Sequence, residues 1–234
     1  MMPRAVIFDW AGTLIDPGCH APVRAFQTAF GEFGLEVSEA LIRRDMGLGK
    51  RVHTERLLAE PEVANRFRST HGRLPGAEDT ERLYLAAIAA MAGLARDFAQ
   101  PVRGAAETLA ELRGQGVAIG STTGYSRSVM DEIAPVAAAE GIAPDVIVCA
   151  EEVADPRPGP GQILACLGAL DIEPAGDVVK VDDSVSGLRA GRAADCLTVA
   201  VTSSGNPLSP HDIARWCDAS CESVAGLFDC LARL

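Results

Sequence analysis

The sequence predicts an α/β fold, a doubly wound parallel sheet with an all-helical cap inserted after its first strand. Three observations carry this. Short apolar runs end in polar residues at five places, helical spacing separates the later runs from one another, and a long interval after the first run holds helical patterns without a strand. With 234 residues the chain is long enough to bury a substantial core without staples.

Ala5-Val6-Ile7-Phe8 is continuously apolar and runs straight into Asp9 and a Gly-containing turn, the pattern of a buried parallel strand whose carboxyl end carries function. The alternation then stops. Residues 24–33, 38–44, 50–58, 61–70 and 79–95 each space their apolar side chains as amphipathic helices, which predicts a helical cap over 17–100 and a core made of 1–16 and 101–234. The core resumes with strands at 117–121, 146–149, 178–181 and 197–201, and with helices at 105–115, 126–140, 161–170 and 186–194. Right-handed crossovers of that length gather the carboxyl ends of all strands at one edge, where ligands bind. Residues 209–234 predict one or two further helices.

Lys+Arg 21 against Asp+Glu 32 gives a net charge of −11. That field repels phosphodiester backbones and anionic lipids, so nucleic acid and membrane surfaces are not expected partners, and an anionic small substrate needs a local cationic pocket or a metal. Amine chemistry is confined to Lys50 and Lys180, all other cations being arginine; Lys180, inside a predicted strand, is expected only to reach water. The seven cysteines are scattered and odd in number, which predicts reduced thiols. Cys217 and Cys221, at helical spacing, are expected to be structural. The N-terminal residues read as neither a signal nor a transit peptide, and the apolar run 83–95 is too short to span a bilayer. A soluble cytoplasmic protein is the expectation.

Phe8-Asp9-Trp10-Ala11-Gly12-Thr13 carries the sharpest chemical signal. Asp9 stands where a carboxylate can attack an electrophile, while the turn after it offers backbone amides to a phosphoryl oxygen. Alone, Asp9 would read as a loop cap. Its counterparts at the other strand ends change that reading: Thr123-Gly124 supplies a hydroxyl and an amide, Arg157 a guanidinium, and Asp182-Asp183 hard oxygen ligands for magnesium. Nucleophile, oxyanion donor, cation and metal carboxylates delivered to one edge describe a phosphoryl-transfer site.

With Asp9 to Thr13, Thr123, Arg157 and Asp183 in this order, the whole chain resembles the haloacid dehalogenase-like superfamily. The stretches FDWAGTLID, MGLGKRVH and GSTTGYSR are similar to its phosphonoacetaldehyde hydrolase, or phosphonatase, branch. The resemblance implies hydrolysis of a small phosphonate to acetaldehyde and phosphate, through a Schiff base on Lys50 and an aspartyl phosphate on Asp9. It implies Mg2+ held by Asp9, Asp183 and the Ala11 carbonyl, with Asp182 as the competing ligand, and it implies a homodimer. Gly12, Thr123, Gly124 and Arg157 would hold the phosphoryl group, Met46 would pack on the imine, and Tyr125 and Cys19 match family positions. His53, three residues after Lys50, would carry a proton.

Ala11 discriminates within the superfamily. Most of its phosphatases and mutases have a second Asp there, and losing that general acid should cost an ordinary phosphoester hydrolase roughly 10² to 10⁴ in rate. An enamine leaving group needs no such acid. Two alternatives stay open: a magnesium-dependent phosphatase or mutase acting on a phosphoester, and a catalytically silent protein that binds a phosphorylated or phosphonated metabolite. The chain departs from the family pattern at Pro158-Gly159-Pro160-Gly161, at Gly187, where some members carry another Asp, and in a shortened segment after Val201.

Overall fold

The computed structural model describes residues 2–173 and 177–234. Six parallel strands form one sheet: β1 Ala5–Phe8, β2 Ala118–Thr123, β3 Val146–Cys149, β4 Val178–Asp182, β5 Leu197–Val201 and β6 Ala219–Cys221, in the order β3-β2-β1-β4-β5-β6. All four residues of β1 are buried, as a strand covered by helices on both faces requires. Val6 and Phe8 join one apolar cluster, while Ala5 and Ile7 join a second that includes Ile163 and Leu167. In the register, Ile7 lies between Gly120 and Lys180. A side chain at Gly120 would collide with Ile7 and Cys166, so this glycine lets a helix settle on the sheet.

Between β1 and β2 lie α1 His20–Glu32, α2 Glu39–Arg44, α3 Lys50–Ala59, α4 Pro61–His71 and α5 Ala77–Leu94, followed by α6 Ala105–Gly114. The expected helical insert is present, with α1 packed on α5 through Phe26, Phe30, Leu83 and Ala87 of the larger cluster. Helix α1 begins four residues before its apolar spacing does. The Asp16 carboxylate accepts the backbone N–H groups of His20 at 3.0 Å and Ala21 at 2.9 Å, satisfying first-turn donors in a way that periodicity does not reveal. The chain leaves and rejoins the core side by side: Asp16 N–H donates to the Gln100 carbonyl at 3.0 Å and Val102 N–H to that of Leu14 at 2.8 Å.

The remaining helices are α7 Arg127–Ala139, α8 Gly161–Ala169, α9 Val185–Ala193, α10 Pro210–Trp216 and α11 Leu227–Leu231. Helices α10 and α11 fall in the segment where one or two were expected, and between them lies β6, a three-residue edge strand that the sequence reading missed because it is too short to show a pattern. Cys217 therefore ends α10 while Cys221 closes β6, and the two do not share a helix face. The seven cysteines are all free. Among the described residues, no helix is long and apolar enough to cross a membrane.

Candidate active site

Asp9 stands one residue beyond β1, held by its N–H donating to the Val181 carbonyl at 3.0 Å. The turn after it coils on the Trp10 carbonyl, which accepts from Thr13, Leu14 and Ile15. Gly12 adopts φ +88, and a side chain there would run into the Asp183 carboxylate; glycine answers both the backbone sign and the close approach.

Asp9, Ala11, Met46, Lys50, Thr123, Gly124 and Tyr125 line one small cavity with an empty volume of about 250 Å³. All seven were singled out in the sequence. The cavity is made jointly by strand ends and by the insert, which meet at very short range: a side chain at Gly124 would lie 2.5 Å from the Leu48 carbonyl, and one at Gly47 would collide with Ser184 and Ser186. The Ser186 hydroxyl donates to the Met46 carbonyl at 3.2 Å.

Arg157 is buried against Asp9. Its Nη2 donates to Asp9 Oδ1 at 2.9 Å and to Thr122 Oγ1 at 2.7 Å, whereas Nε and Nη1 find no partner among the described residues. Unpartnered buried guanidinium donors beside a carboxylate are what an incoming phosphoryl group would satisfy. Gln162 fixes this corner by donating to the carbonyls of Thr123 at 2.9 Å and Val148 at 3.0 Å, and the Thr123 hydroxyl accepts from Tyr125 N–H at 3.1 Å.

The paired acids at the end of β4 separate into two roles. Asp182 forms ion pairs with Lys180 Nζ at 2.8 Å and Arg157 at 3.4 Å; although buried, it is held below the usual carboxylate range by those two cations. Lys180 thus corrects the expectation of a solvated amine. Its side chain is fully buried beside Gly191, where a side chain would meet its stem. The carboxylate of Asp182 also fills the space a side chain at Gly187 would need, which accounts for the absence of an acid there. Asp183 has no such cation. It accepts from Thr13 Oγ1 at 3.2 Å and Asn206 Nδ2 at 2.7 Å, and burial together with the Asp9 and Asp182 charges pushes its carboxyl well above the usual range.

Asp9, Asp182 and Asp183 bring carboxylate oxygens within 4.8 Å of one another, all buried. Three hard oxygen donors, one of them destabilised as an anion for want of a cation, fit a divalent metal such as magnesium. Asp183 is the acid left for it, since Asp182 is already neutralised by Lys180 and Arg157.

Lys50 opens α3 and is only 5% exposed, with Nζ 5.2 Å from the Tyr125 ring centroid. Burial, assisted by the Arg157 charge, lowers its pKa to about 8, against the opposing pull of Cys19 and Asp9. A neutral amine is therefore accessible near physiological pH. Burial pushes the Tyr125 phenol and the Cys19 thiol well up, so both stay protonated. His53 lies on α3 with its ring 4.4 Å from that of Phe26, and neither ring nitrogen finds a partner among the described residues. Burial and the Lys50 charge drive its pKa down to about 3.

The sequence reading missed Thr13, Gln162, Lys180 and Asn206 as site residues. Asn206 had a legible signal, since it follows Thr202-Ser203-Ser204-Gly205 at the end of β5; Gln162 and Lys180 act from within a helix and a strand, where sequence shows only a polar interruption.

Residues 3–195 match the family described as haloacid dehalogenase-like hydrolase. The chain is 42% identical over 205 residues to phosphonoacetaldehyde hydrolase of Pseudomonas fluorescens strain SBW25, spanning 88% of this chain and 74% of that protein. Identity to the Paraburkholderia xenovorans strain LB400 protein of the same name is 39% over 203 residues, 87% of this chain and 76% of the other. A crystal structure of a phosphonoacetaldehyde hydrolase-like protein from Oleispira antarctica superposes with a TM-score of 0.94 at 31% identity, over 100% of this chain and 92% of that one. A carboxylate-bearing strand end, a buried lysine across a shared cavity and relatives of this kind agree: the chain is a hydrolase of the haloacid dehalogenase-like family and belongs to its phosphonoacetaldehyde hydrolase branch.

Proposed function

We propose that the protein hydrolyses the carbon–phosphorus bond of phosphonoacetaldehyde, releasing acetaldehyde and phosphate. One observation carries the reading: Asp9 and a buried Lys50 with lowered pKa face the same small cavity, with the methyl group of Ala11 where an ordinary phosphoester hydrolase needs an acid.

The neutral Lys50 amine adds to the aldehyde carbon and loses water to give an imine, which is protonated. Asp9 then attacks phosphorus. The carbon–phosphorus bond breaks, and its electron pair moves onto carbon and into the iminium, leaving an enamine on Lys50 and a phosphoryl group on Asp9. Water hydrolyses the aspartyl phosphate; the enamine takes a proton at carbon, and hydrolysis of the resulting imine returns the amine. The free donors of Arg157 and the Thr123–Gly124 turn bind phosphoryl oxygens. Met46 and Tyr125 wall the imine. His53, expected to carry a proton, packs on Phe26 outside the residues that line this cavity and is kept neutral by burial and the Lys50 charge, which argues against that role. Asp9, Asp183 and the Ala11 carbonyl would hold Mg2+, which supplies charge neutralisation between two anions.

Because Lys50 belongs to the insert and Asp9 to the sheet, residues 17–100 act as a cap on the core of 1–16 and 101–234, and closure both assembles the site and excludes water. The reading includes a homodimer, checked by light scattering. The central experiment incubates purified protein with phosphonoacetaldehyde and magnesium, follows phosphate, and adds borohydride to a parallel sample. Phosphate release with a reduced adduct on Lys50 is expected; an adduct on Lys180 alone, or none, rejects the imine route.

A further inference from the structure

On the far side of Met46 from the catalytic cavity lies a second cleft, with an empty volume of about 520 Å³. Arg43, Arg44 and Arg56 of the insert form one lip and Arg189 of α9 stands on the other, while Asp45 is the one carboxylate among the lining side chains. In a chain of net charge −11, four guanidinium groups around one cleft are a local reversal of sign.

Three of these guanidinium groups are paired with carboxylates, and Arg189 is the one that makes no ion pair among the described residues. Asp45 accepts from both Arg56 at 2.6 Å and Arg44 at 3.2 Å. Arg44 also reaches Glu60, and Arg43 is held by Glu39 at 2.7 Å and by the Gly18 carbonyl at 2.9 Å. Arg189 is exposed, stacks 5.4 Å from the Trp216 ring and makes no ion pair among the described residues.

Two residues connect this cleft to the chemistry. Met46 lines both spaces, and Asn206 lines the cleft while donating to Asp183 at 2.7 Å. The partition between the spaces is the insert's own loop, seated by the Ser186–Met46 hydrogen bond and by Gly47 against Ser184. Lifting the insert removes the partition and joins the two.

We propose that the cleft is an anion vestibule, which gathers tetrahedral dianions of the phosphonate class and passes them to the catalytic cavity when the insert opens. The substrate's identity rests on the function proposed above; the cleft's preference for a dianion rests on its own charges. Low-dielectric walls lined by one sign of charge focus the field and raise the local concentration of the opposite ion by 10- to 10³-fold. The guanidinium fork also matches phosphonate oxygens two at a time.

The test reverses charge at Arg189→Glu and Arg44→Glu, both on exposed side chains, with Arg68→Glu on α4 as a control carrying the same change in net charge. At low ionic strength the two cleft variants should keep kcat within about twofold and lose about tenfold in kcat/KM, a gap that closes near 0.5 M salt, while the control stays at the parent value. Losses no larger than the control's, losses that persist in high salt, or a fall in kcat alone would each overturn the vestibule. Titration with inorganic phosphate, followed by calorimetry, separates the two proposals. If the parent protein does not cleave phosphonoacetaldehyde but Arg189→Glu weakens phosphate binding in a salt-dependent way, the vestibule stands and the substrate assignment falls. Unchanged phosphate affinity in a parent without turnover rejects both.

Discussion

Lys50, the amine proposed for catalysis, works against the stability of the fold that holds it. Its pKa of about 8 lies below the ordinary 10.5, so at pH 7 the folded chain carries a poorly solvated ammonium, at a cost on the order of 3 kcal/mol. Between about pH 8 and 10.5 the unfolded chain binds the proton that the folded chain has released, and this contribution to stability recovers as pH rises through that window. Lys50→Met should therefore abolish turnover yet raise stability at pH 7 by up to that amount, with the gain vanishing by about pH 10.5 in urea titrations. The same protonation predicts imine formation that accelerates as pH rises toward 8, measurable as the rate of borohydride-trapped adduct. The two acids of β4 should also respond differently. Asp182→Asn strips the partner from Lys180 and Arg157 and is expected to destabilise by about 3–5 kcal/mol, whereas Asp183→Asn should abolish magnesium binding while relieving like-charge crowding. Thermal melts with and without magnesium distinguish them. Sequence displayed the Asp182-Asp183 pair and both lysines but not this division of labour, because which carboxylate meets a cation depends on side-chain direction across neighbouring strands.

At the scale of elements, β1 and the turn after it were legible residue by residue, since a buried parallel strand is a continuous apolar run and its functional end is marked by Asp9 and Gly12. The helices of the insert were legible as a group. The starts of α3 and α4 fell where their spacing put them, but that of α1 did not, because it is set by the Asp16 carboxylate, and β6 was not visible because it is an edge strand of three residues. Contact between elements was the least visible feature: Gly124 read as an amide donor and Gly47 only as part of the MGLGKRVH stretch, but in space each admits a part of the other side of the cleft. Gly124→Ala places a methyl 2.5 Å from a backbone carbonyl that has no rotamer to escape into. This should hold the insert partly open, lowering kcat/KM at least about tenfold while changing Tm by only a few degrees, as steady-state kinetics and a thermal melt would show.

The whole molecule is a net anion, and under the function proposed above it would handle anions by concentrating positive charge at Arg157, Lys50 and a metal held by Asp9 and Asp183. Chelation should reduce phosphate release to background, and added magnesium should restore it and raise Tm as its concentration passes the Kd, since an ion bound only by the folded state stabilises by mass action. The paired backbone at the root of the insert has a different kind of consequence. Leu14 with Val102, and Asp16 with Gln100, close the core behind the insert before a single helical residue is counted. Under the function proposed above, the segment from 17 to 100 would be a cassette mounted on a finished socket: the socket would supply the attack on phosphorus through Asp9 and the cassette the grip on the aldehyde through Lys50, so that either could be exchanged while the other is left intact.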